Sequence, residues 1–335
     1  MKIAVTDYIE ENLDWEAQEL ARAGHTFAAF QLKFRHEEEV AAAVADADAL
    51  VVNMVKVTDS LLARLPRCRL IVRHGIGYDN VDVAACTRRG ILFVYQPDYC
   101  IDDVAEHAIA LLFACARKIV ASRRTLEASS RDGQWDFSGL FPLYRMKGKT
   151  LGVIGAGRIG ATVILRLKSF GFRILACDPY LSERRKQDLG VPFVDHETIF
   201  RESDFITLHT PLNAETRHMV NARTLALMKP TADLINTSRG GMVDAEALAE
   251  ACRTGRIAGA AIDVYEVEPP PLTLPLFNLE NVILTPHTAW ASVESGEQIR
   301  QSIVKDLLLF AAGQRPRNIV NKELLENGPW AHLRA

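Results

Sequence analysis

Three side chains in the second half of the sequence could work on one molecule if the chain brings them together. They are Arg239 in Thr237-Ser238-Arg239-Gly240, Glu268 in Glu266-Val267-Glu268-Pro269, and His287 in Thr285-Pro286-His287. Each follows an apolar run that reads as a β-strand: Leu234–Asn236, Gly259–Asp263 and Val282–Leu284. A guanidinium presents a planar fork of donors to a carboxylate. An imidazole titrates near working pH and can give or take a proton. A carboxylate hydrogen-bonded to that imidazole fixes its tautomer and favours the imidazolium. Singly, each residue has an ordinary explanation: a surface arginine, an exposed turn acid, a capped core histidine. Their placement at three strand ends of one sheet makes a shared site the better reading.

The element that must position them begins at Val153-Ile154-Gly155-Ala156-Gly157-Arg158-Ile159-Gly160. Leu151–Ile154 reads as a strand, Ile159–Phe170 as a helix closed by Gly171, and Arg173–Cys177 as the next strand. Gly155 permits the tight turn, Gly157 lets the backbone approach a pyrophosphate, and Gly160 lets helix and strand pack closely. The backbone N–H groups at Arg158 and Ile159 open the helix toward phosphate. Asp178 follows Gly160 by 18 residues, near the spacing of a carboxylate that binds the adenosine ribose. Such a carboxylate repels a 2′-phosphate, so NAD is expected rather than NADP, although Arg184 and Arg185 lie close by in sequence. Beside a dinucleotide, the trio suits reduction of a 2-oxo acid. Arg239 grips the carboxylate and His287 protonates the carbonyl oxygen as hydride arrives at carbon.

The chain has 335 residues, which gives a prior of about two domains. Residues 1–100 alternate strands (Lys2–Val5, Ala49–Val52, Leu70–Val72, Ile91–Val94) with helices (Asn12–Ala23, Ser60–Leu65, Val81–Arg89). Glu37-Glu38-Glu39 reads as a solvated helix face. After Gln96-Pro97-Asp98 a long helix is expected over Ile101–Ala128. Ala108–Cys115 is apolar nearly all round, which places it between domains or subunits. Trp135, Phe137, Phe141 and Tyr144 read as packing onto a partner surface. The strand cores Leu151–Ile154, Arg173–Cys177, Phe205–Leu208, Leu234–Asn236, Gly259–Asp263 and Val282–Leu284 make a second doubly wound sheet, whose ligands bind at the strands' carboxyl ends. A last helix, Ala289–Ala312, is expected to pack back on the first domain. The expectation is thus two doubly wound parallel α/β domains. A flavodoxin-like substrate domain (1–100 and 289–335) carries an inserted Rossmann NAD-binding domain (101–288), with a cleft that opens and closes between them.

Net charge is −3 with 48% hydrophobic and 24% charged residues, an ordinary globular composition without an electrostatic grip on nucleic acid. The six cysteines show no metal or redox spacing, and the longest strongly apolar stretch is too short for a membrane span. With no signal-peptide pattern at the N-terminus, a cytoplasmic enzyme is expected.

Together these residues resemble the D-isomer-specific 2-hydroxyacid dehydrogenases over nearly the whole chain. The matching blocks are Arg73-His74-Gly75-Ile76-Gly77-Tyr78-Asp79-Asn80-Val81-Asp82, Val104-Ala105-Glu106-His107, Gly155–Gly160 with Asp178-Pro179-Tyr180, and His209-Thr210-Pro211-Leu212-Asn213. They continue with Asn236-Thr237-Ser238-Arg239-Gly240-Gly241, Asp263 through Glu268-Pro269, and Thr285-Pro286-His287. The resemblance implies Arg239, Glu268 and His287 as the catalytic trio. It implies cofactor contacts from His209, Thr210, Pro211, Thr237, Ser238, Arg239, Asp263 (near the nicotinamide amide) and His287. It also implies substrate contacts from Arg73, His74, Gly75 and Ile76, with backbone N–H groups around His74 to Gly77 holding the carboxylate. His287-Thr288-Ala289-Trp290 looks like the branch of glycerate dehydrogenases, hydroxypyruvate reductases and C-terminal-binding proteins, and the serine-regulated extra domain of some phosphoglycerate dehydrogenases is not expected. Trp290 is a substrate or interdomain-packing residue. Two functions follow from that branch: an NAD-dependent oxidoreductase for glyoxylate- or hydroxypyruvate-type acids, and an NAD(H)-sensing dimeric module that recruits proteins, as corepressors of that kind do. The apolar helix around Ala108–Cys115 and the aromatic segment Trp135–Tyr144 have no obvious home in a monomer, which predicts a two-fold homodimer through the nucleotide domains.

Overall fold

The structure is a computed structural model and describes residues 1–326 and 328–334. The chain forms two compact units, Met1–Tyr99 with Ser292–Ala335, and Cys100–Ala291.

The first unit is built on strands β1 (Lys2–Val5), β2 (Thr26–Ala29), β3 (Ala49–Val52), β4 (Leu70–Arg73) and β5 (Leu92–Val94). They pair in parallel in the order β2-β1-β3-β4-β5. This is the flavodoxin-like order. The Val- and Leu-rich cores of β3 to β5 are buried on both faces, as parallel strands covered by helices must be. Helices α1 (Asp14–Arg22), α2 (Glu37–Val44), α3 (Asp59–Ala63) and α4 (Val83–Arg88) connect them. The strand β2 has no counterpart in the sequence reading. It is a short edge strand, Thr-Phe-Ala-Ala, with no residue fully buried.

The second unit opens with α5 (Ile101–Ala116) and α6 (Ile119–Arg131). The single helix expected over Ile101–Ala128 is therefore two. Lys118 adopts φ +49° between them, a left-handed conformation that ends a helix with neither glycine nor proline to announce it. The buried face of α5 (Ala105, Ala108, Leu111, Leu112) packs with α7 (Arg158–Leu167) on the sheet of its own unit, which corrects the interdomain or intersubunit placement of that face. The sheet comprises β6 (Thr150–Ile154), β7 (Arg173–Cys177), β8 (Phe205–Leu208), β9 (Asp233–Asn236), β10 (Gly259–Ile262) and β11 (Val282–Leu284). All pairs are parallel, in the order β11-β10-β9-β8-β6-β7. The order reverses between β6 and β8, so their carboxyl ends flank the switch point where ligands bind such sheets. Helices α8 (Glu183–Leu189), α9 (His196–Glu202), α10 (Ala222–Leu225) and α11 (Ala245–Arg253) complete the unit.

The chain then returns to the first unit through α12 (Val293–Ala311) and α13 (Glu323–Glu326). Fully buried Asp306 of α12 accepts from Gln96 Nε2 at 2.9 Å and from Arg317 N and Nε at 3.0 Å. Asn321 extends β5, accepting from Phe93 N and donating to Ile91 O at 2.9 Å each. The helix expected from Ala289 begins only at Val293, capped by the reciprocal Ser292–Ser295 pair. Trp290 therefore sits in the turn ahead of it. The six cysteines are free thiols, and no helix of the described residues is long and apolar enough to cross a membrane.

Candidate active site

The cradle at the carboxyl end of β6 follows from close backbone packing. Gly155 has φ +87°, and a Cβ there would come within 2.6 Å of the His209 carbonyl. A Cβ on Gly160 would lie 1.9 Å from Gly155 O, so only glycine allows α7 to approach the strand. A Cβ on Gly157 would meet open space, the room a pyrophosphate needs. The N-cap of α7, Gly157, has no side chain to cap the helix, and the N–H groups of a first helical turn have no partner within the helix, which makes this turn suited to an anion. Asp178, at the end of β7, accepts from Ala156 N at 2.9 Å and Tyr180 N at 3.0 Å. Its carboxylate is thereby pinned against the glycine turn.

Across the switch point, His209-Thr210-Pro211 follow β8. Thr207 Oγ1 lies 2.9 Å from His209 Nε2, while Nδ1 is enclosed without a partner among the described residues. Burial pushes this imidazole down to about 4, so it is neutral at neutral pH. At the end of β9, fully buried Asn236 holds the turn that presents Thr237, Ser238 and Arg239. It accepts from Ser238 N at 3.0 Å and donates to Arg239 O at 2.9 Å. Ser238 Oγ donates to Leu208 O at 2.8 Å, and buried Thr237 Oγ1 finds no partner among the described residues. Buried polar atoms without partners are costly. Orphan groups on His209 and Thr237, an open glycine and a ribose-type carboxylate fit a dinucleotide along these strand ends.

Arg239 sits in extended backbone and donates from its guanidinium to Ser238 O at 2.7 Å. A Cβ on Gly240 would lie 1.9 Å from the carbonyl carbon of Tyr265, so the loop after β10 lies directly on the Arg239 turn. That loop carries Glu268, which accepts from Tyr265 N at 3.0 Å and meets His287 Nδ1 at 2.7 Å. Burial raises the Glu268 pKa, but the hydrogen bond and charge of His287, the Tyr265 N–H and the charge of Arg239 outweigh it, and the group ends below its ordinary value. It is a carboxylate throughout the neutral range. His287 has φ +56°, uncommon for a side chain-bearing residue and a conformation that surrounding contacts must enforce.

Asp263, at the end of β10 and fully buried, supplies those contacts. Its carbonyl accepts from His287 N at 2.7 Å, and its carboxylate accepts from Thr285 Oγ1 at 2.5 Å, Thr288 N at 3.0 Å and Ala289 N at 2.9 Å.

In the first unit, Arg73 ends β4, and His74, Gly75 and Ile76 follow it. Arg73 donates from Nη1 to Asn53 Oδ1 at 3.2 Å and to the His74 carbonyl. His74 Nε2 pairs with Glu10 Oε1 at 2.8 Å. Burial raises Glu10, yet the hydrogen bond and charge of His74 carry it down to about 2. Arg73 thus braces the backbone of this loop, and Glu10 anchors the His74 side chain. Sequence reasoning passed over Asn236, Tyr265 and Thr285 as working parts, and noted His107 only as part of a family block. Thr285 and His107 find their partners far away in sequence, while Asn236 and Tyr265 work through backbone contacts within their own turns, which residue spacing does not reveal.

A glycine cradle for a dinucleotide, with a guanidinium and a histidine–carboxylate pair at neighbouring strand ends, defines a nucleotide-dependent oxidoreductase. Comparison with known proteins bears this out. Residues 109–289 match the family described as D-isomer specific 2-hydroxyacid dehydrogenase, NAD binding domain. The glyoxylate reductase of Thermococcus litoralis is 44% identical over 297 residues, covering 85% of this chain and 87% of that protein. The NADPH-dependent glyoxylate/hydroxypyruvate reductase of Sinorhizobium meliloti, solved with NADP and malonate, superposes with a TM-score of 0.83 at 29% identity, covering 100% of this chain and 98% of the other. The D-lactate dehydrogenase of Aquifex aeolicus, solved with NAD and lactic acid, gives 0.82 at 30% identity, covering 93% and 96%. The chain belongs to the D-isomer-specific 2-hydroxyacid dehydrogenase family, and its second unit carries the family's NAD-binding domain.

Proposed function

We propose that this enzyme reduces a small 2-oxo acid of the glyoxylate or hydroxypyruvate type to the D-2-hydroxy acid. One observation carries the reading: the 2.7 Å pair between His287 Nδ1 and Glu268, set beside Arg239 at the strand ends of the nucleotide sheet. The glyoxylate reductase relative supports the substrate class. NADH, when bound, supplies the hydride to the carbonyl carbon. Arg239 binds the carboxylate and orients the carbonyl through its donor fork. Glu268 accepts the Nδ1–H hydrogen bond of His287, which leaves Nε2–H as the acid for the carbonyl oxygen. The His74 N–H is taken by Val52 O at 2.8 Å, so the backbone N–H groups of Gly75 and Ile76 are proposed as further carboxylate donors, and Trp290 as a substrate residue.

The exposed apolar side chains Ile119, Leu126, Trp135, Phe137 and Phe141 support a homodimer through the second unit, since such a patch marks an interface. Six free cysteines support a reducing, cytoplasmic location. The test is NADH oxidation against a panel of 2-oxo acids. The reading expects turnover of glyoxylate and hydroxypyruvate above pyruvate and longer acids. No turnover of any 2-oxo acid would contradict it.

A further inference from the structure

The conformation of His287 is imposed from behind the site. Its φ of +56° is one that a β-carbon disfavours, and the residues on either side of it converge on one carboxylate. Asp263 receives the Thr285 hydroxyl, the Thr288 N–H and the Ala289 N–H at 2.5, 3.0 and 2.9 Å. Segment 285–289 therefore wraps around an anion and projects His287 from the apex of the wrap. The wrap has one further member. His107 on α5 places Nε2 3.2 Å from Thr285 Oγ1 and 3.5 Å from Asp263 Oδ1. With Nε2 protonated, His107 donates to Thr285 Oγ1, whose own hydrogen points to Asp263. Burial of Asp263 favours its neutral form, yet these bonds keep it below the ordinary carboxylate range.

We propose that His107 is a positioning residue for the acid: through Thr285 and Asp263 it fixes the backbone of His287, so that Nε2 meets the carbonyl oxygen in a single geometry. The inference rests on the reading of His287 as the proton donor. His107 serves geometry, so its loss affects the chemical step more than binding. An acid displaced by a fraction of an ångström loses rate steeply.

The test is steady-state kinetics with NADH and the best 2-oxo acid of the panel, with NADH affinity by fluorescence. His107→Ala is expected to lower kcat about tenfold while the Kd for NADH and the KM for the acid stay within about twofold. His107→Gln, which keeps a donor at the same reach, is expected to restore most of the rate. Thr285→Val should reproduce the loss and Thr285→Ser should reverse it, which keeps the test decisive if a position 107 variant folds poorly. A kcat for both His107→Ala and Thr285→Val within twofold of wild type would overturn the inference. So would a Gln variant as slow as the Ala variant, or a loss of NADH affinity equal to the loss of kcat. His287→Ala measured alongside separates the two claims. If it is slow and the His107 and Thr285 variants are not, only the positioning role fails. If it retains full rate, the assignment of the acid fails.

Discussion

Replacing Glu268 by glutamine probes the acid–base pair with the least disturbance of shape. The carboxylate is charged through the neutral range, because its pKa lies below the ordinary value with His287, Tyr265 and Arg239 as the lowering partners against burial. Its contribution to stability is therefore present above the ordinary carboxylate range and is lost as pH falls through its depressed folded value. Reduction needs the imidazole charged, so the reductive rate falls as pH rises through the titration of the pair. The amide keeps an acceptor for His287 Nδ1 but removes the charge that favours imidazolium. A hydrogen bond to a charged group contributes about 1.5–3 kcal/mol against about 0.5–1.5 for a neutral one. The His287 side chain is 39% exposed and that of Glu268 is 24% exposed, so solvent screening selects the low end, a loss of about 1 kcal/mol. Reductive kcat/KM at neutral pH should fall roughly five- to tenfold, and the fall should deepen toward the alkaline side. Oxidation of the 2-hydroxy acid, which needs the neutral imidazole, should be slowed less. The assay is initial-rate NADH oxidation across the neutral range at fixed ionic strength, with NADH affinity as control. Profiles that overlay for wild type and Glu268→Gln would refute the pairing as the source of the acid's charge.

Cofactor choice should follow Asp178, whose carboxylate is held on the Gly155 turn: catalytic efficiency with NADH should exceed that with NADPH, and equal efficiencies would refute this. Gly160→Ala should destabilise the second unit by roughly 1–3 kcal/mol, the cost of overpacking, because its Cβ would meet Gly155 O at 1.9 Å; denaturant unfolding that is unchanged, with NADH binding intact, would count against the cradle. The native mass in solution at micromolar concentration should be that of a dimer, and Trp135→Ser with Phe137→Ser should shift it toward the monomer.

The strands of both units were legible because parallel strands buried on two faces are written as continuous Val, Ile and Leu runs. The residues placed just beyond them, Arg239, Asp263 and His287, were legible for the same reason. What escaped lay where tertiary contacts overrode local signals. The edge strand β2 is Ala-rich and half exposed, so neither alternation nor a buried run announced it. The break at Lys118 depends on a left-handed lysine, which no propensity favours. The helix after Trp290 begins at Val293 because the reciprocal Ser292–Ser295 cap sets its N-terminus, while the residues ahead of it are held in the turn around Asp263. His107 shows the limit most clearly. Its block was recognisable, but its work depends on Thr285, 178 residues away.

The central claim is that His287 delivers the proton when a 2-oxo acid is reduced. Its most direct measurement is the single-turnover rate of NADH oxidation by His287→Ala against wild type, with saturating 2-oxo acid and NADH affinity measured in parallel. The account predicts a rate lower by roughly 10²–10⁴-fold with NADH affinity little changed. A single-turnover rate within a few-fold of wild type would contradict it.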